Sequence, residues 1–244
     1  MKKINFLVFL LVFIFFVLSI LVVPSPVLAA KPIFWVFDSS QNQMEAPKHD
    51  LRPALAGKGA AGQWLIIDDP LAPSLPNVYA QLAGDPVSDR SPLAIARHGS
   101  WTDMGLTVKI KMLSGKVGQA GGLVFHYQNP KNFYSFQANV LENKVYLYKV
   151  VNGVWSQMAS SDIPVSGNSW HTLKIKKHGW NMKGYFNGTL LVEAKDDTFA
   201  KGRIGLVTKA DSIVHFDDLW LQPYDFPLDY PQCYGSIYYD CKKI

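Results

Sequence analysis

The chain has 244 residues, 48% of them hydrophobic and 18% charged, with 2 cysteines, which excludes disordered, collagen-like and disulfide-dense classes. Its formal charge of +5 counts Lys2 and Lys3; without them 24 − 2 = 22 basic side chains stand against 19 acidic ones, leaving +3. That surplus is too small for a nucleic-acid footprint, so no nucleic-acid partner is expected.

Lys2 and Lys3 precede an apolar run from Ile4 to Val23, followed by Pro24-Ser25-Pro26 and Val27-Leu28-Ala29-Ala30. This is the layout of a secretory signal peptide over residues 1–30, cleaved after Ala29 or Ala30. An uncleaved anchor is the alternative, because 20 apolar residues suffice to cross ~30 Å of hydrocarbon. In both cases the remainder is exported, periplasmic or extracellular, and meets a membrane only through an uncleaved leader.

Residues 31–63 read as an irregular lead-in, broken by Pro47, Pro53 and the Gly57–Gly62 stretch, with at most one short strand around Phe34–Phe37. From Trp64 the pattern changes to short β-branched and aromatic runs separated by Gly, Pro, Asn and Asp. Strands are expected over residues 64–68, 78–82, 106–112, 122–127, 133–140, 145–151, 154–159, 170–177, 180–186, 189–193, 202–207 and 213–221. Period-two alternation puts Leu106, Val108, Ile110 and Met112 on one face, and likewise Leu173 and Ile175. Asn152-Gly153 and Asn187-Gly188 each sit between two such runs, the signature of a hairpin whose central positions need positive φ. Residues 64–223 are therefore expected to form one all-β, two-sheet antiparallel sandwich, a jelly roll. The remaining 224–244 form a tyrosine-rich tail. There Cys233 and Cys241 read as one disulfide, since an even, closely spaced pair in an exported chain has no other thiol or histidine in the tail with which to ligate metal.

Gly121-Gly-Leu-Val-Phe-His-Tyr-Gln-Asn-Pro-Lys-Asn-Phe-Tyr134, Asn152-Gly-Val-Trp155, Trp170-His-Thr-Leu-Lys-Ile175, Phe186-Asn-Gly188, Gly202-Arg-Ile-Gly-Leu206 and Phe216-Asp-Asp-Leu219 occur in that order. In order and spacing this stretch resembles the concanavalin A-like lectin/glucanase superfamily. More narrowly it is similar to the exported bacterial domains grouped as laminin G-like and 3-keto-disaccharide hydrolase-type. The resemblance implies two packed antiparallel sheets, one of them concave, and a role in carbohydrate binding or glycoside processing; fold alone does not choose between these. Such domains commonly carry arginine where this chain has His126.

A glycosidase needs two carboxyl groups facing one cleft. The chain has only Glu45, Glu142 and Glu193, none within the Glu-x-Asp-x-x-Glu pattern of laminarinase-type jelly rolls. Adjacent aspartates on a strand point to opposite faces, so Asp68-Asp69, Asp196-Asp197 and Asp217-Asp218 do not supply a catalytic pair. No catalytic residue is assigned, and no redox cofactor. Asp196, Asp217 and Asp218 are candidate oxygen ligands for a structural calcium, with solvated turn carboxylates as the alternative. The histidines show no zinc spacing.

Aromatic rings remain as a handle on sugars, whose C–H faces pack on rings while their hydroxyls seek amides and charged ends. With 7 Trp and 11 Tyr, most rings must be core. Alternation nevertheless gathers Gln137 and Asn139 with Ser135 on one strand face. His126, Tyr127, Lys149 and Trp155 are the neighbours expected to complete a shallow groove. The expected partner is a carbohydrate or glycoconjugate held there noncovalently. The alternatives are a hydrolase or lyase acting on a modified disaccharide, as the resemblance implies, and an envelope sandwich that docks another protein.

Overall fold

The computed structural model describes residues 32–35, 37 and 50–224. The leader and the Cys233/Cys241 pair lie outside the described residues. The strands are β1 (Ile33–Trp35), β2 (Leu51–Gly57), β3 (Trp64–Asp68), β4 (Asn77–Gln81), β5 (Arg90–Ala96), β6 (Met104–Ser114), β7 (Ala120–Asn129), β8 (Asn132–Asn139), β9 (Lys144–Val151), β10 (Val154–Asp162), β11 (Trp170–His178), β12 (Asn181–Phe186), β13 (Thr189–Lys195), β14 (Arg203–Thr208) and β15 (Ile213–Pro223). No helix occurs among the described residues.

An eight-stranded sheet runs β13-β12-β11-β6-β15-β4-β3, with β1 added to β15, and a seven-stranded sheet runs β10-β9-β8-β7-β14-β5-β2. Every pairing is antiparallel. Consecutive hairpins build β7 to β10 and β11 to β13, whereas β14 and β15 return from the C-terminal end to insert between earlier strands. This is the expected jelly-roll sandwich.

The alternation that marks the strands also makes the core. Leu106, Val108, Ile110 and Met112 of β6 and Leu173 and Ile175 of β11 are fully buried and meet Leu123, Phe125, Tyr134, Phe136 and Leu147 of the other sheet in one cluster. Each such aliphatic or phenyl side chain contributes about 1.5–3 kcal/mol by leaving water. Both hairpin turns form as expected. Asn152 and Gly153 have φ of 52° and 85°, and Asn187 and Gly188 of 48° and 84°, positive at both central positions.

The lead-in reading needs correction. Leu51–Gly57 is a strand, β2, and forms one edge of the seven-stranded sheet against β5. Its sequence, Leu-Arg-Pro-Ala-Leu-Ala-Gly, is short of β-branched residues and carries Pro53, which cannot donate to a ladder and is tolerated because only one side of an edge strand is paired. β5 was not expected either. Its Pro92 opposes Leu55 of β2, while its pairing with β14 runs only over Leu93–Ile95, so the missing N–H falls outside that ladder. Arg90, at the start of β5, is fully buried and donates from Nε to the Ala60 carbonyl at 2.7 Å and from its terminal nitrogens to those of Ala83 (3.1 Å), Ala61 (3.2 Å) and Ala210. A planar five-donor group is the side chain able to collect four carbonyls from three segments.

Candidate functional site

The outer face of the seven-stranded sheet, the one turned away from the other sheet, follows from register. Gln137 of β8 lies opposite Gly122 of β7 and Tyr146 of β9; Ser135 lies opposite Val124 and Tyr148; Asn139 lies opposite Ala120 and Lys144. On β10, Trp155 pairs with Val150 and Gln157 with Tyr148. Gly122 has no side chain, and the Phe136–Gln137 backbone packs closely against it. Beside Gln137 lies a pocket of about 140 Å³ lined by Ser88, Asp89, Ser91, Ala120, Gln137, Asn139, Tyr146, Tyr148, Trp155 and Lys209. At ~10–15 Å³ per enclosed water that is room for about ten waters, well below the ~300–1,000 Å³ of drug-sized sites.

Its lining mixes aromatic rings with hydrogen-bonding groups. Tyr146 and Tyr148 stack at 5.3 Å, Tyr148 meets Trp155 edge-on at 5.4 Å, and Trp155 meets Phe133 edge-on at 5.4 Å. The Gln137 amide donates to Ser135 Oγ at 2.9 Å, and its Oε1 accepts no hydrogen bond from the described residues. Asn139 Nδ2 donates to Glu142 Oε1 at 2.8 Å, Asn139 Oδ1 accepts from the Glu142 amide at 3.2 Å, and the Tyr146 hydroxyl donates to the other Glu142 oxygen. Glu142 thus fixes one wall without entering the pocket lining. Burial, then the Glu142 charge, pushes the Tyr148 phenol up to about 12. Burial and the hydrogen bond to Glu142 push Tyr146 up as well. Both remain neutral hydroxyls at physiological pH.

Of the six expected groove residues, Gln137, Asn139 and Trp155 line this pocket. Tyr127 shares the outer face but lies further along it, buried against Phe133 with the Arg203 guanidinium 5.0 Å above its ring. His126 is not a groove residue. The register of β7 shifts between Phe125 and Asn129, and His126 takes a φ of 48° at that bulge. Its ring is thereby fully buried, with Nδ1 2.7 Å from the Phe199 carbonyl and Nε2 2.9 Å from that of Thr102. Burial pushes its pKa below the usual histidine value. Lys149 also belongs elsewhere. It pairs with Tyr134, not with Gln137 or Ser135, and so lies on the sheet's inner side, where its Nζ reaches Asp196 at 2.5 Å.

The three aspartates proposed as calcium ligands fall into two clusters. Asp196 accepts from Lys149, from the Tyr134 hydroxyl and from the Thr198 amide, and these bonds outweigh burial to hold its carboxyl far below the usual range. Asp217 accepts from the Ser74 amide at 2.8 Å and Asp218 from the Ser74 hydroxyl at 2.6 Å, on the outer side of the eight-stranded sheet. Among the described residues no group of three carboxylate, histidine or cysteine side chains is placed to hold a metal. Asp196 is thus paired with Lys149 of β9, and Asp217 and Asp218 hold the β3–β4 loop.

Tyr146 and Tyr148 were legible in principle. They alternate with the core residue Leu147, and the β8–β9 turn places them opposite Gln137 and Ser135. Ser88, Asp89 and Ser91 were not, because they reach the pocket only through β5.

In fold the chain is similar to the carbohydrate-binding module CBM66 from Bacillus subtilis, with a TM-score of 0.53 at 24% identity, covering 66% of this chain and 91% of that one. It is similar to domain 4 of an extracellular GH43 arabinanase from Geobacillus stearothermophilus, solved with arabinotriose, with a TM-score of 0.53 at 12% identity over 80% of this chain and 94% of that one. It is similar also to the β-glucanase of Bacillus licheniformis, with a TM-score of 0.51 at 12% identity over 81% and 99% respectively. At these identities the likeness is one of fold, the concanavalin A-like jelly roll. In sequence it is 28% identical over 113 residues to the levanase of Bacillus subtilis (strain 168), a match that covers 46% of this chain and 17% of the levanase. The family model of the 3-keto-alpha-glucoside-1,2-lyase-like domain matches residues 58–222, from the end of β2 to the end of β15, and the chain belongs to that family.

Proposed function

We propose that this is an exported domain that binds carbohydrate noncovalently in the pocket on the outer face of its seven-stranded sheet. The observation that carries the reading is the juxtaposition of Tyr146, Tyr148 and Trp155 with the amides of Gln137 and Asn139 around a ring-sized depression. Aromatic faces take the C–H side of a sugar, and amides and hydroxyls take its polar edge. The similarity in fold to a carbohydrate-binding module and to an arabinanase domain solved with arabinotriose supports the same reading. Export rests on the apolar leader of residues 1–30.

The test is a binding screen of the chain from Lys31 onward against diverse oligo- and polysaccharides, with product formation followed in the same samples. Saturable binding is expected, weakened at least tenfold, about 1.4 kcal/mol, by Trp155→Ala or Gln137→Ala, and unchanged in Lys149→Met. Absence of binding across the panel would refute it.

Membership of the lyase-like family favours a second reading, elimination or hydrolysis on a modified disaccharide. Asp89 and Lys209 are the charged groups in the pocket lining. Release of product that Asp89→Asn abolishes would move the domain into the enzyme class.

A further inference from the structure

The outer face of the eight-stranded sheet has a different character from the sugar-sized pocket behind it. Register places Lys109 and Lys111 of β6, Lys174 and Lys176 of β11, Lys183 of β12 and Lys195 of β13 on this one face. Lys111 is answered by Asp69, and Lys183 by Glu193 at 2.8 Å. Lys174 and Lys176 sit two residues apart without an ion pair among the described residues. Burial and the charge of Lys176 both depress the Lys174 pKa, a sign of like charges held close together. Aromatic rings lie among them: Lys176 Nζ is 5.4 Å from the Tyr185 ring, and Trp220 stacks on Phe34 at 5.7 Å.

Four exposed apolar side chains lie on the same side. Phe34 of β1 and Leu65 of β3 are 43% and 45% exposed, and the loop joining β3 to β4 presents Leu71 and Leu75 at 74% and 61%. That loop is not loose. Asp69 at its start accepts from Lys111 and from His215 Nδ1 (2.9 Å), and Ser74 is bonded to Asp217 and Asp218, all on β6 and β15. It is tied across the sheet's outer face with its leucines turned to water. Unpaired lysines, interfacial aromatics and protruding leucines on one surface are the combination that recognises a bilayer: positive charge for lipid phosphates, apolar tips for the layer beneath them.

The chain's path agrees. The apolar run ends at Val23 and β1, which belongs to this sheet, begins at Ile33, ten residues on. Ten residues span at most about 36 Å, so a leader held in a bilayer keeps β1, and with it this sheet, within that distance of the membrane surface.

We infer that the outer face of the eight-stranded sheet docks on an anionic lipid bilayer, with Leu71 and Leu75 entering the headgroup layer and Lys174 and Lys176 facing lipid phosphates. The sugar pocket lies on the opposite face, so this docking stands or falls independently of the carbohydrate reading.

The experiment is flotation of the chain from Lys31 onward, which holds every described strand and lacks the leader that would insert into any bilayer. Vesicles of equal phosphatidylglycerol and phosphatidylcholine are compared with pure phosphatidylcholine, at low and high salt. Binding is expected to the anionic vesicles alone, to weaken with salt, to fall at least ~tenfold in Lys174→Glu/Lys176→Glu and several-fold in Leu71→Ser/Leu75→Ser. Unfolding midpoints report whether each variant is intact, and Lys174→Gln/Lys176→Gln replaces the charge reversal if that variant fails to fold. No flotation with anionic vesicles, equal flotation with both kinds, or wild-type flotation of the folded lysine variant would overturn the inference. So would displacement to soluble polygalacturonate in preference to vesicles, which would assign the face to an acidic glycan.

Discussion

Asp69 shows how one carboxylate organises a surface. Burial works to raise its pKa, but hydrogen bonds from Lys111 and His215 and from the Leu71 amide outweigh it and hold the carboxyl at about 2. A carboxyl depressed in the folded state stabilises the fold fully above its unfolded pKa of about 3.9 and loses that contribution as pH falls through the folded value. The window is therefore about pH 4 down to 2, and the amount about 2 kcal/mol. Asp69→Asn is expected to lower stability at pH 7 by about that much and to flatten the acid limb of a stability-versus-pH curve. An unaltered acid limb would show that the Lys111 and His215 contacts contribute nothing. His126 teaches the converse. A histidine beside a tyrosine in a strand reads as a surface residue by alternation, but the bulge at Phe125–Asn129 turns it inward, and nothing in the local sequence announces a bulge.

Elements were legible where local chemistry and tertiary placement agree. β6 and β11 alternate cleanly because each buries one face, and the two Asn-Gly turns are specified by the φ they require. β2 and β5 were not legible, since both are Ala-rich, contain proline and obtain their strand character from neighbours. The pocket inherits this division. Gln137, Asn139 and Trp155 came from strands that identify themselves, while Ser88, Asp89 and Ser91 came with β5. Two glycines separate turn strain from close packing. At Gly188 a side chain would meet nothing within 4 Å, so Gly188→Ala costs only its unfavourable φ of 84°, about 1 kcal/mol. At Gly122 a Cβ would fall 2.1 Å from the Phe136 carbonyl oxygen and 2.7 Å from the Gln137 Cα. Backbone must then move, and Gly122→Ala is expected to cost roughly 3 kcal/mol and to weaken sugar binding through Gln137. Denaturant titration of the two variants ranks them, and equal losses would contradict the close backbone packing at Gly122.

At the scale of the molecule a single buried cluster draws on both sheets, from Trp64 of β3 through Phe136 of β8 to Leu221 of β15. Among the described residues the second buried cluster, around Phe133 and Val150, is much smaller, so thermal unfolding of the chain from Lys31 onward is expected as one transition, with calorimetric and van't Hoff enthalpies equal. Cys233 and Cys241 follow the last strand in sequence, and reductant is expected to shift that transition little; two separated transitions, or a large shift with reductant, would contradict this.

The return of β14 and β15 into the middle of the two sheets has a further result. It leaves the sandwich with two broad outer surfaces that point in opposite directions, one carrying the pocket and the other the lysines and leucines. Occupancy of one surface does not occlude the other, and no flexible linker separates them. A domain lying on a vesicle through its eight-stranded sheet would hold its sugar pocket open to solvent at a fixed height, so that many copies on one membrane present a two-dimensional array. If each pocket holds a glycan weakly, the array would add these contacts up to firm adhesion to a polymer, a gain that a copy free in solution would not have.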